Sequence, residues 1–144
     1  MLLALEIHEF AIIERLSLQL GPGLVVLTGE TGAGKSIIVD ALSALLGARI
    51  GSDYIRAGAR AARVEGLFAL PTASQARERA LALLAELGVE PEDDTVVIAR
   101  EWLAGGRSLA RLGGRVVPLT ALQQIGELLV DIHSQSEHLS LLRP

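Results

Sequence analysis

Cysteine is absent from the sequence, which excludes disulfides and thiol chemistry and is compatible with a reducing compartment. Aromatic residues are scarce at 3%, so a core has to be assembled from Leu, Ala, Val and Ile, which the 50% hydrophobic content supplies for one domain of 144 residues. No uncharged apolar run approaches the roughly 18 residues that cross a bilayer. No basic segment precedes the first apolar stretch, which Glu6 and Glu9 interrupt. We therefore expect neither a membrane span nor a signal peptide. Net charge is −4, which leaves no global basic footprint for nucleic acid. Lysine is nearly missing as well: of the 13 Lys and Arg residues, Lys35 is the one lysine.

That lysine sits in Gly29-Glu30-Thr31-Gly32-Ala33-Gly34-Lys35-Ser36, which matches G-x-x-x-x-G-K-[ST], the phosphate-cradling loop of nucleotide hydrolases. The match is meaningful only between a buried strand and a helix. Leu24-Val25-Val26-Leu27, opened by Gly21-Pro22-Gly23, reads as the strand. Ile37, Ile38, Ala41, Leu42, Leu45 and Leu46 recur at helical spacing until Gly47. Gly29, Gly32 and Gly34 allow the backbone to approach a phosphate, and successive N–H groups form a nest backed by the helix N-terminus. Lys35 then reaches the β- and γ-phosphates, and the Ser36 hydroxyl ligates Mg²⁺. A phosphate cradle suits a point-charge ammonium better than arginine's planar fork, which gives the lone lysine a reason to be there.

The other segments read in order. Two antiparallel strands are expected over 2–7 and 13–20, with Phe10 beside their link as a core residue or, alternatively, a neighbour of an adenine ring. A glycine-punctuated loop over 48–58 carries Arg49 and Arg56, either solvated or in contact with phosphate or DNA. A strand over 63–70 ends at Pro71, and an amphipathic helix over 73–87 presents Leu81, Leu84 and Leu87 on one side. Glu90-Pro91-Glu92-Asp93-Asp94 is a solvated acidic turn rather than a metal site. Strands over 95–103 and 107–112 are joined by Gly105-Gly106, and Gly113-Gly114 leads into Arg115-Val116-Val117. Arg100, Arg107, Arg111 and Arg115 are expected to share a face as the one local basic patch. A short helix then runs from Pro118 to about Gly126, and Leu128-Leu129-Val130-Asp131-Ile132 reads as a buried strand. Its polar end, His133 to His138, sits where open α/β sheets bind ligands. His133 and His138 are five apart, poor spacing for zinc.

Taken together, these residues resemble the RecN family of bacterial DNA-repair ATPases, in the SMC-like branch of ABC-type ATPases. The resemblance rests on Phe10-Ala11-Ile12-Ile13, on Leu27-Thr28 with the phosphate loop through Ser36, and on Gly126-Glu127-Leu128-Leu129-Val130-Asp131-Ile132-His133 with the closing Gln135-Ser136-Glu137-His138 and Leu141-Leu142-Arg143-Pro144. It implies an α/β P-loop NTPase fold of ABC/SMC-head type, with 1–144 as the N-terminal lobe: a central mixed sheet, the P-loop helix and an antiparallel β subdomain. It also implies that Gln135 is the Q-loop glutamine, binding Mg²⁺ and sensing the γ-phosphate of ATP, although Ser134 and Ser136 stand where the family usually has Gly and His. A signature motif, a Mg²⁺-site aspartate and a hydrolytic glutamate do not occur in the sequence; Leu112-Gly113-Gly114-Arg115 lacks the serine a signature needs. By the resemblance these parts belong to a C-terminal lobe beyond a coiled coil. The implied partners are that lobe, a second head in an ATP-dependent dimer, and DNA through the whole protein. The implied location is the bacterial cytoplasm at the nucleoid. Two other readings remain at this point: a different P-loop NTPase or kinase, and a non-catalytic DNA- or protein-binding module. A GTPase is disfavoured because the guanine-reading motif needs a second lysine.

Overall fold

The computed structural model describes residues 2–20 and 32–129, except the side chains of residues 32–35. Three expectations lie outside the described residues: the turn and strand over 21–27, the first three residues of the phosphate loop, and everything from Val130 on, including His133, Gln135 and His138.

Six strands form one sheet: β1 (Leu2–Phe10), β2 (Ile13–Gln19), β3 (Ala61–Ala69), β4 (Thr95–Leu103), β5 (Ser108–Leu112) and β6 (Arg115–Val117). Their order is β2-β1-β3-β4-β5-β6, and every neighbouring pair is antiparallel. The helices are α1 (Gly32–Leu45), α2 (Ser74–Glu86) and α3 (Leu119–Leu129). Alternation decides which face each strand buries. Leu5 pairs with Gly66 and Ile7 with Val64. Gly66 pairs in turn with Ile98, and Ile98 with Leu112. All of these are buried, so a continuous apolar row crosses the sheet under the helices. α1 lies over β3 and β4, and α3 over β5.

The expected hairpins form where glycine permits them. Gly105 and Gly106 both take positive φ (102° and 97°), the geometry that reverses β4 into β5 without splaying the strands. In the acidic turn Asp93 and Asp94 adopt φ of 51° and 60°, which aspartate tolerates better than most residues. Asp94 also takes an ion pair at 2.7 Å from Arg77 of α2.

Three expectations are corrected. In α2 the buried residues are Ala80 and Leu84, while Leu81 is exposed, because the inward face is centred on the 80/84 pair and residue 81 lies a further 100° round the helix. α3 continues through Leu129, so Leu128 and Leu129 are helical and do not begin a strand. Gly126 does not stop that helix. It is buried, and an added Cβ would lie 3.1 Å from the Leu46 carbonyl oxygen, so glycine serves close packing against the end of α1. The third correction concerns the arginines. Arg100 pairs with Ala110 on the buried face, whereas Arg111 pairs with Ala99 on the opposite face. Arg111 there joins Arg63, Glu65 and Glu101 in ion pairs of 3.2–3.3 Å. Period-two alternation separates residues 100 and 111 across the sheet, and Glu65 and Glu101 pair with Arg63 and Arg111, so Arg100 does not share a basic face with Arg111.

Candidate nucleotide site

α1 starts inside the motif, at Gly32. The first four N–H groups of any α-helix have no intrahelical acceptor, and here they belong to Gly32, Ala33, Gly34 and Lys35. The first turn carries no acidic side chain to occupy or repel an anion there. Ser36 is exposed on the next position, so its hydroxyl is open to solvent or to a ligand. Orphan donors, a positive helix end and an accessible hydroxyl suit a magnesium-bound triphosphate. Gln135, expected beside them, lies outside the described residues.

The other end of α1 is held by residues the motif gives no hint of. Ala41, Leu42, Ala44 and Leu45 are buried against the sheet. Arg100 of β4 is only 2% exposed, and its Nη1 donates to the carbonyls of Ala44 at 2.7 Å and Ala48 at 3.1 Å. Gln123 of α3 donates from Nε2 to the Gly47 carbonyl at 2.9 Å. These bonds supply donors to carbonyls in the last turn of α1 and just beyond it, and the guanidinium charge complements the negative end of the dipole. Burial lowers the pKa of Arg100 from its usual value. Gly47 has φ of 109°, and a Cβ there would fall 2.3 Å from Gln123 Cγ. Gly47→Ala is expected to destabilise the chain by about 1–3 kcal/mol, read by urea unfolding, because it adds backbone strain and displaces the capping amide.

A third anchor lies mid-helix. Tyr54, in the single 3₁₀ turn Ser52–Tyr54, donates its hydroxyl to Asp40 Oδ2 at 3.0 Å. Hydrogen bonding to Asp40, and then the charge of Asp40, raise the Tyr54 pKa above 10.0. The folded state therefore holds this proton more tightly than the unfolded chain. Its contribution to stability is complete below pH 10 and is lost as pH rises through the folded value. Tyr54 is the only tyrosine, so phenolate absorbance should titrate with a midpoint above 10, and Asp40→Asn should lower that midpoint toward the ordinary value.

Phe10 is fully buried, with ring centroids 5.0 Å from Tyr54 and 5.6 Å from Trp102, so it is a core residue and not a surface for a base. Arg56 is half-buried beside Glu9 at 3.9 Å, while Arg49 is exposed. Sequence reasoning missed Arg100, Gln123 and the Asp40–Tyr54 pair. For Arg100 a signal existed: it alternates in phase with Val96, Ile98 and Trp102, which marks an inward position.

A family model described as an AAA domain matches residues 4–90. The chain is 46% identical over 142 residues to the DNA repair protein RecN of Halalkalibacterium halodurans, and 44% identical over 142 residues to that of Bacillus subtilis. Each alignment covers 99% of this chain but 24% of the relative, so the chain spans about a quarter of their length. Among solved structures, an SMC ATPase studied for ATP-driven dimerization and DNA-stimulated activation superposes with a TM-score of 0.68 at 25% identity, covering 94% of this chain and 82% of that one. The fold is that of a P-loop ATPase head of SMC type, mixed α/β, with an antiparallel sheet among the described residues. Among the described residues, no helix is long and apolar enough to cross a membrane.

Proposed function

The chain belongs to the AAA-domain family and groups there with the RecN DNA-repair proteins, and from that premise we propose that residues 1–144 are the ATP-binding lobe of an SMC-like ATPase acting in DNA double-strand break repair and recombination. One observation carries the reading. The helix whose first turn is Gly32-Ala33-Gly34-Lys35 is buried in its C-terminal half, at Ala41, Leu42, Ala44 and Leu45, and anchored at that end, which fixes the direction of its first-turn N–H groups. Preorganised donors of that kind hold a phosphate without a reorganisation cost.

In this reading the amides of residues 29–36 surround the β-phosphate and Lys35 lies against the β- and γ-phosphates. Ser36 and Gln135 hold Mg²⁺, which when bound neutralises charge on the phosphate oxygens. The carboxylate that orients the attacking water comes from a C-terminal lobe of the same protein, and the γ-phosphate is capped by a second head. Nucleotide then acts as a joint between heads and hydrolysis releases it, with DNA engaged by the whole protein at the bacterial nucleoid.

Nucleotide profiling tests the proposal against other P-loop chemistries. The chain is expected to bind Mg·ATP in preference to Mg·GTP and to transfer phosphate to no small-molecule acceptor. A GTP preference, or phosphoryl transfer to an added acceptor, would contradict it.

A further inference from the structure

Arg100 is a charged side chain almost entirely removed from solvent, and the proposed chemistry does not use it. It stands on the inner face of β4 opposite Ala110. Its hydrogen bonds go to main-chain carbonyls, that of Ala44 in the last turn of α1 and that of Ala48 just beyond the helix. Its guanidinium carbon lies 4.8 Å from the Trp102 ring centroid, and Trp102 Nε1 has no hydrogen-bond partner among the described residues. The contacts then run from Trp102 to Phe10, from Phe10 to Tyr54, and from Tyr54 to Asp40, which is again on α1. The circuit therefore leaves α1 at residue 44 and returns at residue 40, one turn earlier. Three of the four aromatic residues in the chain are spent on it.

A buried guanidinium is costly unless its donors are used and its charge is compensated. Here the compensation is the negative end of one helix dipole, together with the face of an indole. Substituting a hydrocarbon would relieve the desolvation cost but take the Arg100 donor from the Ala48 carbonyl and leave the Ala44 carbonyl with the Gly47 N–H alone. The arrangement fixes the axis of one helix with respect to the sheet, and that helix carries the phosphate amides at its other end, about 20 Å away at 1.5 Å per residue.

Resting on the nucleotide reading above, we propose that Arg100 is a positioning residue for the phosphate cradle: by gripping the C-terminal carbonyls of α1 it sets the direction of the free amides at the N-terminus. It touches no ligand and acts through the helix.

The experiment compares Arg100→Met and Arg100→Lys with Leu84→Ala, a truncation of a fully buried residue on α2 that lowers stability without removing any α1 anchor. Two quantities are read, Mg·ATP affinity and amide hydrogen exchange in the first turn of α1 without nucleotide. Arg100→Met should raise Kd by about 3- to 30-fold and accelerate first-turn exchange. Arg100→Lys, which keeps charge and donors but not the planar fork, should recover part of both. Leu84→Ala should leave Kd and first-turn exchange close to wild type at comparable global stability. Equal effects in Arg100→Met and Leu84→Ala would overturn the proposal by making Arg100 an ordinary core contact. If the methionine variant does not fold, the lysine variant carries the same comparison, and wild-type values there would likewise overturn it. A wild-type chain that binds no Mg·ATP contradicts the nucleotide reading alone, and the exchange measurement then decides the coupling without ligand.

Discussion

Lys35→Ala is expected to raise the Kd for Mg·ATP by about 30- to 1,000-fold while leaving the fold intact. The size follows from what the side chain does in the proposed site. Its ammonium faces the most highly charged part of the ligand in a pocket where few water molecules remain to replace it, so truncation leaves phosphate charge uncompensated. The fold should survive because Lys35 lies in the first turn of α1, and the residues that bury that helix come later, from Ala41 onward. Lys35→Arg should recover little, since the wide guanidinium does not enter a ring of main-chain amides as a point charge does. Titration calorimetry of the three chains, with far-ultraviolet circular dichroism to check folding, gives the answer. Wild-type affinity in the alanine variant would remove Lys35 from the site.

The second large effect is on turnover. Tested by themselves, the 144 residues are expected to hydrolyse ATP no faster than background even when saturated with nucleotide. Phosphoryl transfer depends on positioning and on charge stabilisation by several groups at once, and supplying one missing group in related systems changes rates by about 10³–10⁵-fold. The sequence contains the loop, the lysine, the serine and Gln135, and the proposed reading puts the signature motif and the carboxylate that orients the attacking water in a C-terminal lobe. Adding the separately produced remainder of a matching RecN-type head should restore multiple turnovers, and the same mixture with Lys35→Ala should remain inactive. Sustained hydrolysis by the isolated chain, abolished in Lys35→Ala, would show that the catalytic carboxylate lies within these residues.

Much of this architecture was legible in the residue order. Strand limits over 95–103 and the glycine turns were readable because period-two patterning and positive-φ positions are local properties. The errors share a different origin. Gly126 read as a stop, yet its meaning lies in Leu46, which is 80 positions earlier in the chain, and only the packed fold brings the two together. Arg100 read as part of a surface patch because arginine is usually exposed, and its acceptors, Ala44 and Ala48, are again distant in sequence. The phosphate loop was conspicuous because a ligand dictates its residue types. The supports of α1 were not, because any combination of donors at the right height would serve.

The most direct measurement is a crystal structure of the chain with Mg²⁺ and a non-hydrolysable ATP analogue. The account predicts a triphosphate whose β-phosphate is ringed by main-chain amides from Gly29 to Ser36, with the Lys35 ammonium against its outer oxygens and the metal on the Ser36 hydroxyl. A nucleotide bound elsewhere on the sheet, or none bound while its own side chains fill that space, would contradict it.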